Sequence, residues 1–198
     1  MPEMRPENPL KFDPARAHLL ESADRDQFLP DRLVVDLLEL DGSETVLDYG
    51  AGTGRVSAAV AERLPRGRVI AVDENPEMIA RLRERFAEVQ NVEVIQVADN
   101  RLELPDASVE RILAVNLLHE VRGERALEEM RRLLRPEGML LVVDWDRERP
   151  SEPGPPVEHR YSAPEAAREL AAHGYRTEPL ATPLPYHFVL RARPTTTG

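Results

Sequence analysis

Val46-Leu47-Asp48-Tyr49-Gly50-Ala51-Gly52-Thr53-Gly54-Arg55-Val56 decides how this 198-residue chain is read. Alternate glycines follow a short apolar run and open into a helical pattern. A backbone that leaves a strand, turns sharply and starts a helix needs positive φ, and it needs no side chains where a ligand approaches. Gly50, Gly52 and Gly54 supply both. Because such a turn also serves helix–strand packing with no ligand present, its surroundings carry the argument. A second apolar run, Val69-Ile70-Ala71-Val72, ends in Asp73 and Glu74, where an acid at a strand tip accepts the hydroxyls of a ribose. A third, Val92-Glu93-Val94-Ile95-Gln96-Val97, ends in Ala98-Asp99-Asn100, where a carboxylate accepts from an adenine amino group. Successive strand ends thus offer the polar groups that a nucleoside cofactor needs.

The spacing also excludes. A dinucleotide fingerprint reads G-x-G-x-x-G, whereas these glycines run G-x-G-x-G and follow Asp48. A pyrophosphate is favoured by helix-end amides and repelled by a neighbouring anion, but an ammonium group is attracted by one. An NAD(P)-dependent oxidoreductase therefore ranks a distant third, lacking both the spacing and a hydride-transfer site. The stretch resembles the first motif of the class I S-adenosylmethionine-dependent methyltransferases, [DE]-x-G-x-G-x-G. Leu104-Pro105-Asp106-Ala107-Ser108-Val109-Glu110-Arg111-Ile112 is similar to that family's L-P-D-x-S-F-D-x-[VI] segment, with Glu110 in place of aspartate. Val115-Asn116-Leu117-Leu118-His119-Glu120-Val121 resembles the fourth-strand end of its small-molecule branch, which includes quinone-biosynthesis methyltransferases. Leu133-Leu134-Arg135-Pro136-Glu137-Gly138-Met139-Leu140 resembles its L-[KR]-P-G-G-x-[LF] turn, with Glu137 in place of the first glycine.

The resemblance implies S-adenosylmethionine as cofactor and S-adenosylhomocysteine as product. It assigns cofactor contacts to Asp48, Tyr49, Gly50, Ala51, Gly52, Gly54, Asp73, Glu74, Met78, Ala98, Asp99, Asn100 and Asn116. It implies an α/β fold: a Rossmann-like doubly wound sheet of order 3-2-1-4-5-7-6, mostly parallel with a C-terminal antiparallel hairpin, and helices on both faces. Residues 1–30 are expected to form an N-terminal lid segment and residues 31–198 a single S-adenosylmethionine-binding domain.

Periodicity places helices over Asp31–Leu40, Gly54–Leu64, from Pro76, Arg122–Leu134 and from Ser162 to His173. Strands are expected at Thr45–Tyr49, to Asp73, to Val97, to Asn116 and to Trp145, with a last pair at Arg176–Thr182 and Tyr186–Arg193. Segments around Phe12–Phe28 and Asp146–Tyr161 lie outside the sheet and are long enough to cover a pocket.

A methyl on a cationic sulfur needs chiefly positioning, plus a base where the acceptor is protonated. His119, just past the fourth strand, is the candidate catalytic base, with a backbone- or solvent-bonded histidine as the plainer reading. His18, His159 and Tyr161 are weaker candidates on lid segments, and Trp145 is placed either to stack on a planar acceptor or to pack the core. The fourth strand ends in Asn116-Leu117-Leu118-His119 rather than the [DN]-P-P-[YFW] of amino-methylating enzymes, which favours an oxygen or carbon acceptor. The other class of function is a non-catalytic module that binds S-adenosylmethionine or S-adenosylhomocysteine for sensing or partner regulation.

Zero cysteines exclude disulfides, thiolate metal sites and thiol nucleophiles, and no metal site is expected. A net charge of -10 disfavours nucleic acid, with Arg81, Arg83, Arg85, Arg131, Arg132 and Arg135 read as solvated helix faces paired with Glu84, Glu88, Glu128 and Glu129. No apolar stretch reaches membrane-span length, and the polar, proline-rich start carries no signal-peptide core, so a cytoplasmic monomer or homodimer with a small-molecule acceptor is expected.

Overall fold

Apolar runs too hydrophobic to leave either face in water become the central strands of one sheet. Thr45–Tyr49 (β1), Arg68–Asp73 (β2), Val92–Gln96 (β3), Val109–Val115 (β4) and Leu134–Trp145 (β5) pair in parallel. Tyr175–Pro179 (β6) and His187–Pro194 (β7) close the sheet as an antiparallel hairpin on β5, giving the order β3-β2-β1-β4-β5-β7-β6. The structure is a computed structural model describing residues 11–99, 101–122, 125–149, 151 and 154–195. Among these, no helix is long and apolar enough to cross a membrane.

The helices are Ala17–Leu20 (α1), Asp31–Asp36 (α2), Arg55–Ala61 (α3), Pro76–Arg85 (α4), Ala126–Leu133 (α5) and Ala163–Ala172 (α6). Two-residue alternation along the strands divides the core between the faces of the sheet. Leu47, Ile70, Ile112, Leu140 and Val142 face α5 and α6, meeting Met130, Leu133, Ala166 and Leu170. Val46, Val69, Leu113, Leu141 and Val143 face the opposite way, onto Val34, Val35, Val56 and Val60 of α2 and α3. Burying an aliphatic side chain contributes about 1.5–3 kcal/mol, so this period-2 pattern fixes which face each strand residue can occupy.

Several boundaries differ from the sequence expectation. The helix expected over Asp31–Leu40 ends at Asp36, because Glu39 turns into the left-handed region at φ 52. The helix expected from Arg122 starts at Ala126. Arg135-Pro136-Glu137-Gly138, expected as a turn, lies within β5 as an irregularity, where pairing jumps from Val109↔Leu134 to Arg111↔Met139. β4 stops at Val115 and β6 at Pro179, each shorter than expected.

Gly54, the residue before α3, sits at φ 83, and a Cβ there would lie 2.7 Å from Leu82 Cδ2 and 2.8 Å from Phe86 Cε2 of the α4 region. Gly52 has φ 56, but its nearest neighbour would be Leu20 Cδ1 at 3.4 Å. Gly54→Ala is therefore expected to destabilise by about 2–4 kcal/mol, from left-handed strain plus overpacking, and Gly52→Ala by about 1 kcal/mol from strain alone. Urea denaturation checks this; equal losses would show that packing against α4 is not what requires glycine at 54.

Candidate functional site

Strand order reverses where β1 lies between β2 and β4, so the connections diverge and leave a crevice beyond the carboxyl ends of these strands. The glycine loop floors it. Gly50 and Ala51 donate their amides to the Val72 carbonyl at 2.9 and 2.8 Å, pinning the loop to the tip of β2. Asp73 continues the restraint: Oδ2 accepts from the Gly52 amide and Oδ1 from the Asn75 amide, both at 2.9 Å. Burial pushes the Asp73 carboxyl up, against these hydrogen bonds.

Asp48 lies beneath the loop, 3% exposed, with Oδ2 accepting from Ser57 Oγ of α3 at 2.5 Å. Burial pushes its carboxyl up from the usual 3.8 to about 6, even though the Ser57 hydroxyl opposes the shift. Tyr49 is buried in the core beside it, and Met78 is buried on α4. Across the crevice, Asn116 holds φ 54 and donates its amide to the Val143 carbonyl at 2.8 Å. Its side-chain Oδ1 is buried without a hydrogen-bond partner among the described residues, an arrangement that disfavours the fold by about 1–3 kcal/mol unless a ligand or water supplies a donor. Ala98 and Asp99 lie exposed past β3, with Asp99 at φ 51, while Asn100 lies outside the described residues.

Next to Asn116, the tips of β4 and β5 bring His119 and Asp144 together. His119 Nδ1 meets Asp144 Oδ1 at 2.8 Å and the His119 amide donates to Asp144 Oδ2 at 3.1 Å. With the carboxylate ionised, Nδ1 carries the proton and Nε2 is the free acceptor. Burial pulls the imidazole pKa down, but the Asp144 charge and hydrogen bond outweigh it and the pKa is raised. Glu120 Oε1 stands 3.9 Å from Nε2, and burial pushes the Glu120 carboxyl up to about 7 with His119 pulling the other way.

The N-terminal segment straps over this crevice. Lys11 pairs with Glu74 at 3.1 Å, the Phe12 amide donates to Glu120 Oε2 at 3.2 Å, and Leu20 lies above Gly52. Arg55, directly after the glycine loop, grips the strap: it donates to the Ser22 carbonyl at 3.2 Å, Asp26 at 2.6 Å and Asp31 at 2.8 Å. Glu21 pairs with Arg85 at 2.6 Å.

Trp145 is not open to an acceptor ring. It is 6% exposed: His187 packs 4.3 Å and Phe28 5.7 Å away between ring centroids, and a Cβ at Gly154 would lie 2.8 Å from its ring. The indole packs Phe28 and Gly154 against the end of β5, so the core-packing alternative holds and the stacking role is corrected. His187 is buried with neither ring nitrogen hydrogen-bonded among the described residues, and burial pushes its pKa down to about 3, keeping it neutral. Tyr161 is buried beneath the Arg122 guanidinium, 4.2 Å from its ring centroid; His159 is half-buried and His18 exposed. Of the arginines expected to be paired, Arg132 meets Glu129 at 2.7 Å as expected, Arg135 meets Glu110 and Arg85 meets Glu21 instead, and Arg131 donates to the Gly174 and Thr195 carbonyls.

Asp144, Glu120, Arg55 and His187 were not singled out from sequence. Asp144 had a legible signal, since it ends Leu140-Leu141-Val142-Val143 as Asp73 ends its own apolar run.

Residues 46–138 match a family model described as a methyltransferase domain. A methyltransferase of Mycobacterium tuberculosis, itself uncharacterized, is 35% identical over 150 residues, covering 70% of this chain and 60% of that protein. The ubiquinone/menaquinone biosynthesis C-methyltransferase UbiE of Methylococcus capsulatus is 33% identical over 119 residues, 58% of this chain and 48% of that one. The chain spans 34–60% of the length of the curated relatives it matches. The crystal structure of a SAM-dependent methyltransferase from Aquifex aeolicus superposes with TM-score 0.85 at 30% identity, over 92% of this chain and 98% of that chain.

The unfolded Asp48 carboxyl ionises near 3.8 and the folded one near 6, so the native state binds its proton more tightly. The resulting penalty is absent below the lower value, builds as pH rises between the two and is fully present above 6. Asp48→Asn is therefore expected to raise stability by on the order of 3 kcal/mol at pH 8 and by little at pH 4. Denaturation at the two pH values checks this, and a pH-independent difference would contradict it.

Proposed function

The chain belongs to the class I S-adenosylmethionine-dependent methyltransferases, and on that premise we propose that it methylates an oxygen or carbon atom of a small-molecule acceptor. The carrying observation is the oriented His119–Asp144 pair beside Asn116 at the mouth of the crevice. When bound, the cofactor supplies a methyl group on cationic sulfur, activated for in-line displacement.

The residues present fit such a group. Asn116 Oδ1 is a buried acceptor in want of a donor, and Asp48 is a buried carboxylate at the loop, so both suit an ammonium group. In this reading Asp73 and Glu74, at the tip of β2, hold the ribose hydroxyls and Asp99, past β3, meets the adenine amino group. Gly52, with open space above it save for Leu20, lets backbone approach the ligand.

His119 Nε2 takes the acceptor's proton while Asp144 fixes the tautomer and stabilises the imidazolium that forms. The strap from Lys11 to Asp31 excludes water from the crevice. An acceptor of small size accords with the net charge of -10 and the carboxylate-paired arginines. A carbon acceptor draws support from the relative named as a quinone-pathway C-methyltransferase.

Methyl transfer from labelled S-adenosylmethionine to a panel of catechols and hydroquinones tests this. His119→Ala is expected to lower kcat by about 10²–10⁴-fold with cofactor affinity retained. In Asp144→Asn the His119 pKa loses the raising effect of the carboxylate, so the acidic limb of the pH–rate profile moves to lower pH. Unchanged turnover in His119→Ala would assign it to structure, and cofactor binding with no turnover on any acceptor would favour the non-catalytic module.

A further inference from the structure

Beyond the His119–Asp144 pair, a groove of about 380 Å³ opens between the outer face of α6, the segment after β5 and the turn after β4. Arg122, Arg147, Tyr161, Glu165, Arg168 and Glu169 line it. Its volume lies within the roughly 300–1,000 Å³ range of small-ligand sites. In a chain of net charge -10 this groove gathers three guanidinium groups against two carboxylates.

Glu165 is already engaged, whereas Glu169 pairs with His173 only when that imidazole is protonated. Glu165 accepts from the Ser162 amide at 2.8 Å as the capping residue of α6 and pairs with Arg147 at 2.6 Å. Glu169 lies 3.8 Å from His173. Arg168 has Glu165 at the favourable i−3 position, yet it forms no ion pair among the described residues, because Glu165 turns to Arg147 instead. Arg122 spends one contact on the His159 carbonyl at 3.3 Å and stacks on Tyr161, with no carboxylate partner among the described residues. Two exposed guanidiniums without a carboxylate partner among the described residues thus face one concavity beside an aromatic wall. Each presents a planar fork of donors suited to two oxygens of one oxyanion, a geometry a solvated lysine face does not offer.

We propose that this groove binds a small oxyanion, a carboxylate or phosphate group, through Arg122 and Arg168, with Arg147 held in place by Glu165 as the third positive charge. The site goes beyond the methyl-transfer reading and does not depend on it.

Calorimetric titration with citrate and with pyrophosphate tests the assignment on the full chain. Wild-type protein is expected to bind at least one probe, more weakly as NaCl rises. The Arg122→Ala/Arg168→Ala double variant, altered only at exposed positions, should bind about 10-fold more weakly or worse, with an unchanged thermal melt. Arg83→Ala, removing an exposed arginine on α4, should leave binding intact. Preference for citrate or for pyrophosphate identifies which oxyanion the groove suits. No binding to wild type, or equal binding to wild type and double variant, would overturn the proposal. Titrating each protein with S-adenosylhomocysteine separates the two claims: its failure to bind contradicts the methyl-transfer reading alone.

Discussion

Between Tyr49 at the end of β1 and Arg55 at the start of α3 the chain has five residues in which to reverse direction. It does so pressed against its neighbours. Gly50 abuts Leu117 at the end of β4, Gly54 abuts Leu82 and Phe86, and the amides of residues 50–52 are engaged by the Val72 carbonyl and the Asp73 carboxylate. Gly52 is the least crowded of the three, its nearest neighbour being Leu20 of the strap, 3.4 Å from where a Cβ would stand. The position of α3 relative to β1, the shape of the crevice floor and the grip of Arg55 on the strap all depend on this one turn. Asp73 belongs to that constraint as much as to any ligand, because its carboxylate holds the loop.

Around the turn, the strand tips carry ionisable groups in unfavourable surroundings. Burial pushes Asp48 up to about 6 and Glu120 up to about 7 and pushes His187 down to about 3, so near neutral pH Asp48 is ionised at a cost, Glu120 is partly protonated and His187 is neutral. A core designed for stability alone would replace such groups with apolar side chains. Their concentration at one end of one sheet accords with a site that handles charge and protons, where shifted pKa values cluster. The His119–Asp144 pair differs from the rest: it is hydrogen-bonded on the Nδ1 side, which orients the ring and leaves Nε2 outside that bond.

Most of the sheet was legible because burial on both faces forces strands into continuous apolar runs, and each run ends where a polar residue appears. Strand order was legible through the resemblance rather than through periodicity. Helix ends were less so: α2 stops early because Glu39 adopts positive φ, a conformation that nothing in its residue type demands. The acids at Asp48 and Asp73 could be read from their place after apolar runs. Pairings across strands could not. His119 and Asp144 are 25 residues apart, and their contact exists only because β4 and β5 are neighbours in register. Trp145 was ambiguous in sequence because a ring at a strand tip serves a ligand or the core equally well; Phe28, Gly154 and His187 decide for packing.

Calorimetric titration with S-adenosylmethionine, S-adenosylhomocysteine and NAD in parallel tests the central claim most directly. The crevice described here, with a carboxylate under the glycine loop and an acceptor at Asn116 awaiting a donor, should take both sulfur nucleosides at micromolar concentration and leave NAD unbound. Binding of NAD, or of neither sulfur nucleoside, would contradict it.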